Sequence, residues 1–124
     1  MDRGELEVRT LAFGVAIYRF CETLQQTPNA RKLANQLLDC ATSIGANYRS
    51  TSRARSRAEF VAKLGVVVEE AGEAVYWREV VEATRLGDQS TRAQLLNEAK
   101  ELRAIVAAAA RTARQNRRAT SVRK

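Results

Sequence analysis

Histidine is absent from all 124 residues, and that removes more chemistry than any other feature of the chain. Without it there is no Ser-His-Asp or Cys-His arrangement, none of the common zinc sets, and no Glu-x-x-His ligands of a di-iron bundle. Proline occurs once, at Pro28, and β-branched runs are few, so nothing favours a sheet. Two cysteines, Cys21 and Cys40, have neither the number nor the spacing of a disulfide framework or a zinc site. Both sit in apolar-periodic segments, which predicts buried, reduced thiols in a cytoplasmic protein. No stretch approaches the roughly twenty uncharged apolar residues that span a bilayer, so no membrane partner is expected. The opening Met1-Asp2-Arg3-Gly4-Glu5 lacks the basic start and apolar run of a signal peptide. No glycine loop cradles a phosphate, because the glycines fall within helical segments. No cofactor is implied, and catalysis is not expected.

What the chain does have is positive charge. The net charge is +7 and the sequence pI is near 10.1. Residues 1–30 carry −1, 31–57 carry +5, 58–87 carry −3, 88–110 carry 0 and 111–124 carry +6. Two segments therefore supply the whole excess. Blocks of this kind point to an anionic partner, most often nucleic acid.

Four segments show helical periodicity. The first spans about Glu5 to Gln25, with Val8, Leu11, Val15, Tyr18 and Cys21 on one stripe and Phe13, Ile17, Phe20 and Leu24 widening it. The Thr27-Pro28-Asn29 turn ends it. The second spans about Ala30 to Arg49, aligning Leu33, Leu37, Cys40, Ala41, Ile44 and Tyr48. Ser56-Arg57-Ala58-Glu59 then reads as a capping box that starts the third. Its core stripe is Phe60, Leu64, Val67, Val68, Ala71 and Val75, with Gly87 as the stop. Ser90 or Thr91 can cap the fourth, which carries Leu95, Leu96, Ala99, Leu102, Ile105, Val106 and Ala109 before a basic tail. Short connections force antiparallel neighbours. The prediction is an all-α, antiparallel up-down-up-down four-helix bundle over 1–110, followed by a basic C-terminal extension over 111–124.

Gly14, Gly45, Gly65 and Gly72 fall inside these helices, each costing about 1 kcal/mol relative to alanine. Gly65 and Gly72 are one heptad apart on one face, which predicts close backbone approach between helices. Trp77 follows Glu73 by four residues and Glu70 by seven, so it projects on the acidic side of the third helix. Val66 and Val80 lie near the same face, which marks Trp77 and Tyr76 as candidates for contact with another subunit. The competing expectation is a tryptophan folded over the bundle edge. Glu69, Glu73, Glu79 and Glu82, with Lys63, Arg78 and Arg85 beside them, read as a solvated, salt-bridged face rather than catalytic carboxylates.

Two arginine clusters remain. Arg49, Arg53, Arg55 and Arg57 surround the start of the third helix, where cations oppose the helix dipole. Free amides and arginines together there suit a phosphate; a merely solvated loop is the alternative. Arg111, Arg114, Arg117 and Arg118 form the second cluster, with Arg123 and Lys124 beyond. Cations at a helix C-terminus are favoured by the dipole in any case, and such a tail can simply solubilise. Neither cluster is interleaved with aromatics, so the pattern supports sequence-independent backbone contact and not base stacking.

The run Thr42-Ser43-Ile44-Gly45-Ala46-Asn47-Tyr48-Arg49, then Ser56-Arg57-Ala58-Glu59-Phe60, Lys63-Leu64, Glu70-Ala71 and Tyr76-Trp77, resembles a bacterial four-helix-bundle family. Its members were first noted as proteins encoded in intervening sequences of the large-subunit ribosomal RNA gene. The family is related to the accessory protein of diversity-generating retroelements. The resemblance covers roughly residues 8–110. It implies an up-down bundle assembled as a ring-like homopentamer with a central channel. In the retroelement branch it implies a basic surface that binds nucleic acid (RNA or DNA) and a reverse transcriptase. This chain departs from the pattern at Ser50, where many relatives carry an acidic residue, and in its arginine-rich tail. Two function classes follow: a nucleic-acid-binding accessory protein, or an oligomeric scaffold whose basic surface meets an acidic protein.

Overall fold

The computed structural model describes residues 1–122, with side chains described through residue 116. It contains helices α1 (Arg3–Glu22), α2 (Pro28–Ser50), α3 (Arg57–Ala83) and α4 (Gln89–Val122), with a 3-10 turn at Thr51–Arg53. Each helix packs on the next, α4 approaches α1 more sparingly, and the backbones of the diagonal pairs keep farther apart. This is an antiparallel up-down-up-down four-helix bundle.

Local chemistry sets the helix ends. The Asp2 side chain accepts from the Glu5 amide, and the Thr27 side chain accepts from the Ala30 amide. Pro28 does not only close off α1; it opens α2 at the first helical position, where its missing N–H is no loss and its φ is already helical. Ser56 accepts from the Glu59 amide as expected. The reciprocal half of the capping box is replaced, since the Glu59 carboxylate pairs with Arg55 at 3.5 Å. Neither Ser90 nor Thr91 caps α4. Asp88 does, accepting from both the amide and the hydroxyl of Thr91 at 2.9 Å, which holds its carboxyl below the usual range. Helix α3 stops at Ala83 rather than at Gly87. The Leu86 amide reaches back to Val81 and the Arg85 amide to Glu82, with Arg85 left-handed at φ 56°. That is a Schellman ending with arginine at the position that glycine usually holds.

The core is built from Leu6, Phe13, Ile17 and Phe20 of α1 against Leu37, Cys40, Ala41 and Ile44 of α2. Leu64, Val67, Ala71 and Val75 of α3 and Leu95, Ala99, Leu102 and Val106 of α4 complete it. Two expectations fail here. The α1 stripe Val8, Leu11, Val15 and Tyr18 is 41–68% exposed; α1 carries two apolar stripes, and the one with two phenylalanines took the core, leaving the tyrosine hydroxyl in water. A Cβ added to Gly65 or Gly72 would meet nothing within 4 Å, so no helix approaches them closely in the protomer. Close approach does occur at the other pair. A Cβ on Gly45 would meet Thr10 Oγ1 at 3.3 Å, and one on Gly14 would meet Thr42 at 3.5 Å.

Candidate functional site

The α2–α3 corner is fixed from outside by a residue far away in sequence. Arg3 Nη2 donates to the Tyr48 carbonyl at 3.1 Å and to Thr51 Oγ1 at 3.0 Å, and its guanidinium lies 4.9 Å over the Tyr48 ring. Thr51, 2% exposed, donates in turn to the Tyr48 carbonyl at 2.6 Å. The C-terminal carbonyls of α2 are thereby satisfied by a cation and a buried hydroxyl. The backbone then turns through Thr51–Arg53 to Ser56. Arg3 carries no signal in sequence beyond lying in the first turn of α1.

On this scaffold Arg49, Arg53, Arg55 and Arg57 are all exposed. Among the described residues only Arg55 of these four has an ion pair, with Glu59, and its side chain is 90% exposed. Ser56 satisfies the Glu59 amide by its side chain and the Phe60 amide by its carbonyl, leaving the Arg57 and Ala58 amides directed past the helix end. Arg49 stands slightly apart, lining a groove between α1 and α2.

The second cluster arrives at the same end of the bundle. Helix α4 begins beside the end of α3, where Arg78 meets Arg92, and passes α1 where Arg9 pairs with Glu98 and Glu101 at 2.6 Å. Running on, it reaches the end where α1 and α3 begin and α2 stops. Ala110 and Ala113 are still buried there, while Arg111 and Arg114 are exposed and form no ion pair among the described residues. The helix continues to Val122. The side chains of Arg117 and Arg118, and Arg123 and Lys124 altogether, lie outside the described residues. Two clusters more than fifty residues apart in sequence thus share one end of the fold.

At the opposite end arginine is used differently. Arg78, expected on a solvated face, is wholly buried. Its Nη2 donates to the Arg92 carbonyl, and Nε and Nη1 have no partner. Burial lowers its pKa, with Glu82 opposing. Arg92 donates to the carbonyls of Leu86 at 3.0 Å and Gly87 at 2.5 Å, and to Glu82 at 3.2 Å. This arginine pair ties the α3–α4 connection together and was not legible in the sequence. Lys63 donates to Ser50, so the expected salt-bridged face reduces to Glu82 and its two arginines.

Of the interface candidates, Tyr76 is 58% exposed, whereas Trp77 is half-buried against the core. Their rings meet edge to face at 5.0 Å. Burial pushes the thiols up, Cys21 to about 11 and Cys40 to about 12, so both stay protonated and weakly nucleophilic at neutral pH. Among the described residues no three potential metal ligands cluster, and no helix is long and apolar enough to cross a membrane.

The fold and its exposed arginine end define a basic helical-bundle protein. The chain belongs to the 23S rRNA-intervening sequence protein family, whose model matches residues 5–108. It is also similar to a crystal structure, at 1.70 Å resolution, of a protein of unknown function from the S23 ribosomal protein family of Bacteroides thetaiotaomicron VPI-5482. The two are 29% identical with a TM-score of 0.74, over 85% of this chain and 97% of that one. No curated protein matches the chain.

Proposed function

We propose that this chain is a non-catalytic cytoplasmic protein that self-associates and binds nucleic acid through phosphates at the arginine-rich end of its bundle. One observation carries the reading: Arg53, Arg55, Arg57, Arg111 and Arg114 come from two distant segments of the sequence to one end of the fold, exposed and nearly free of carboxylate partners. Exposed guanidiniums held without counter-charge raise the local potential and attract a polyanion. The Arg57 and Ala58 amides at the start of α3, without a hydrogen bond among the described residues, add donors suited to a phosphate oxygen. No exposed aromatic residue stands among the arginines, so the contact is with the backbone and not with the bases. A homopentameric state and a reverse-transcriptase partner rest on the family resemblance, which supports them as parts of this reading.

The test is a salt titration of binding to random-sequence duplex DNA and RNA. Affinity falls as salt rises, and removing one phosphate interaction flattens the log–log slope by about 0.9. Arg53→Gln with Arg55→Gln and Arg57→Gln weakens binding to all sequences alike, and Arg111→Gln with Arg114→Gln does the same. Absence of salt-dependent binding by the wild-type chain would overturn the reading and leave a scaffold for an acidic protein in its place.

A further inference from the structure

Helix α4 outruns the bundle, and its contacts locate the overhang. Arg78 of α3 donates to the Arg92 carbonyl of α4. Antiparallel helices share the same rise per residue. Twenty-one residues back from Arg78 and twenty-one on from Arg92 therefore bring the start of α3, Arg57, level with Ala113. Arg9 of α1 pairs with Glu98 and Glu101, so by the same count the start of α1, Arg3, stands no further along α4 than Ala107. Helix α2 stops beside it, because Arg3 holds the carbonyls of Tyr48 and Arg49. Burial agrees: Ala113 is the last buried residue of α4 among those described, and Arg114, Gln115 and Asn116 are exposed one after another. The helix runs on to Val122. Residues 114–122 thus stand past the ends of the other three helices, over a length of about 13 Å.

This overhang is cationic, and little opposes it. No Asp or Glu follows Glu101 in the chain. The carboxylates near this end of the bundle are Asp2, Glu5, Glu7 and Glu59. Glu7 pairs with Arg3, and Glu59, which stands level with Arg111, pairs with Arg55. Asp2 and Glu5 are exposed, but the Arg9 contacts place them level with Ala108 at the furthest, short of Arg111. The helix dipole leaves roughly half a negative charge at the C-terminal end, against +6 for residues 111–124.

A lone helix with its side chains is about 10–12 Å across. Among regular nucleic acids one groove fits it, the major groove of B-form DNA, about 12 Å wide. The major groove of an A-form RNA duplex is too deep and narrow to admit it, and a single strand has no groove. We infer that the overhang of α4 lies in the major groove of B-form duplex DNA, so that this end of the bundle selects duplex DNA over duplex RNA. The inference rests on the proposed function and names its ligand. Neighbouring helix axes lie about 8–10 Å apart. That spacing sets the start of α3, with Arg57 and the connection bearing Arg53 and Arg55, on the phosphate wall beside the groove, while Arg111 and Arg114 reach phosphates from the helix itself.

Fluorescence anisotropy with a DNA duplex, an RNA duplex of the same sequence and length, and the single DNA strand tests it at one fixed salt concentration. The full chain binds the DNA duplex tighter than either of the others by on the order of tenfold, the effect of a few added phosphate contacts. Gln115→Pro leaves every charge in place and breaks the helix where it clears the bundle. It brings DNA affinity down to that for duplex RNA, with RNA binding and thermal unfolding of the bundle unchanged, whereas Gln115→Ala behaves as wild type. Dimethyl sulfate gives the direct readout: guanine N7, in the major groove, is protected by the wild-type chain, and adenine N3, in the minor groove, stays reactive. Equal or tighter binding of duplex RNA or of the single strand overturns the inference. So does a Gln115→Pro protein that keeps the preference, or a guanine N7 left reactive in the complex. In each of these cases salt-dependent binding leaves the phosphate-binding reading standing. Absence of salt-dependent binding to all three probes removes that reading, and the inference with it.

Discussion

Arginine does opposite work at the two ends of this bundle. Where α3 turns into α4, Arg78 and Arg92 are buried and committed to carbonyls and to Glu82. Where α2 turns into α3, Arg53, Arg55 and Arg57 are exposed and nearly uncommitted. The difference lies in what surrounds them. A Schellman ending presents carbonyls with few partners, and a guanidinium with five donors can satisfy several at once. A helix beginning presents amides, with which a cation has nothing to exchange. Arginine at a helix end is thus structural or available according to which end it meets. Arg3 fits the same rule, since it satisfies the end of α2.

The largest expected effect breaks the buried side of that comparison. Arg92→Ala removes three hydrogen bonds from a side chain 6% exposed, to Glu82 and to the carbonyls of Leu86 and Gly87. Unfolding in urea should show a loss on the order of 3 kcal/mol, the scale for breaking a buried charged network by one member. A loss below about 1 kcal/mol would mean that water takes over those carbonyls freely.

Arg78 should behave unlike its neighbour. Two of its three nitrogens are buried without partners, and such groups oppose folding. Arg78→Met keeps the stem and drops the stranded donors, so stability should hold or rise by up to about 2 kcal/mol. If Arg78→Met instead costs as much as Arg92→Ala, the unpartnered nitrogens have acceptors in solution, such as ordered water.

How much of this was legible beforehand depended on whether the deciding contact was local. Periodicity and caps act over one or two turns, so four helices, Ser56 and the antiparallel order could be read from the residues. Helix α1 defeated periodicity because it is apolar on two faces, and choosing between them requires knowing the shape of the cavity. Ser90 and Thr91 were the expected caps because their side chains can cap; the register of α4 gives the place to Asp88 instead. The burial of Arg78 and the role of Arg3 follow from contacts fourteen and forty-five residues away, which no window sees. The glycines show the same limit: Gly45 is pressed by Thr10 across the α1–α2 contact, and Gly65 by nothing.

A glycine pair therefore gives the next effect. Gly45→Ala places a methyl 3.3 Å from Thr10 Oγ1 and 3.5 Å from its backbone, so helix propensity gained is offset by crowding and thermal unfolding should show a loss of about 1 kcal/mol. Gly65→Ala meets open space and should raise protomer stability by about 0.5–1 kcal/mol. A loss of stability at Gly65 in a dissociated protein would show that a contact exists inside the protomer.

The smallest effect bears on the exposed side. Replacing Arg53, Arg55 and Arg57 by glutamine removes three cations from around the start of α3. Their repulsion by the helix dipole amounts to a few tenths of a kcal/mol each at most, and only within the first turn. Against this stands the Arg55–Glu59 pair at 3.5 Å, which at such exposure contributes little. The unpaired Glu59 then sits in the first turn with a favourable charge. The triple variant should thus be as stable as the wild type or slightly more so, by under about 1 kcal/mol in urea at low salt. The gain should shrink as salt is added, because screening removes the repulsion being relieved. The same variant should bind nucleic acid more weakly. Stability and binding moving in opposite directions would mark these arginines as kept for a partner and not for the fold. A clear loss of stability would instead place them with Arg92, among the residues that hold the bundle together.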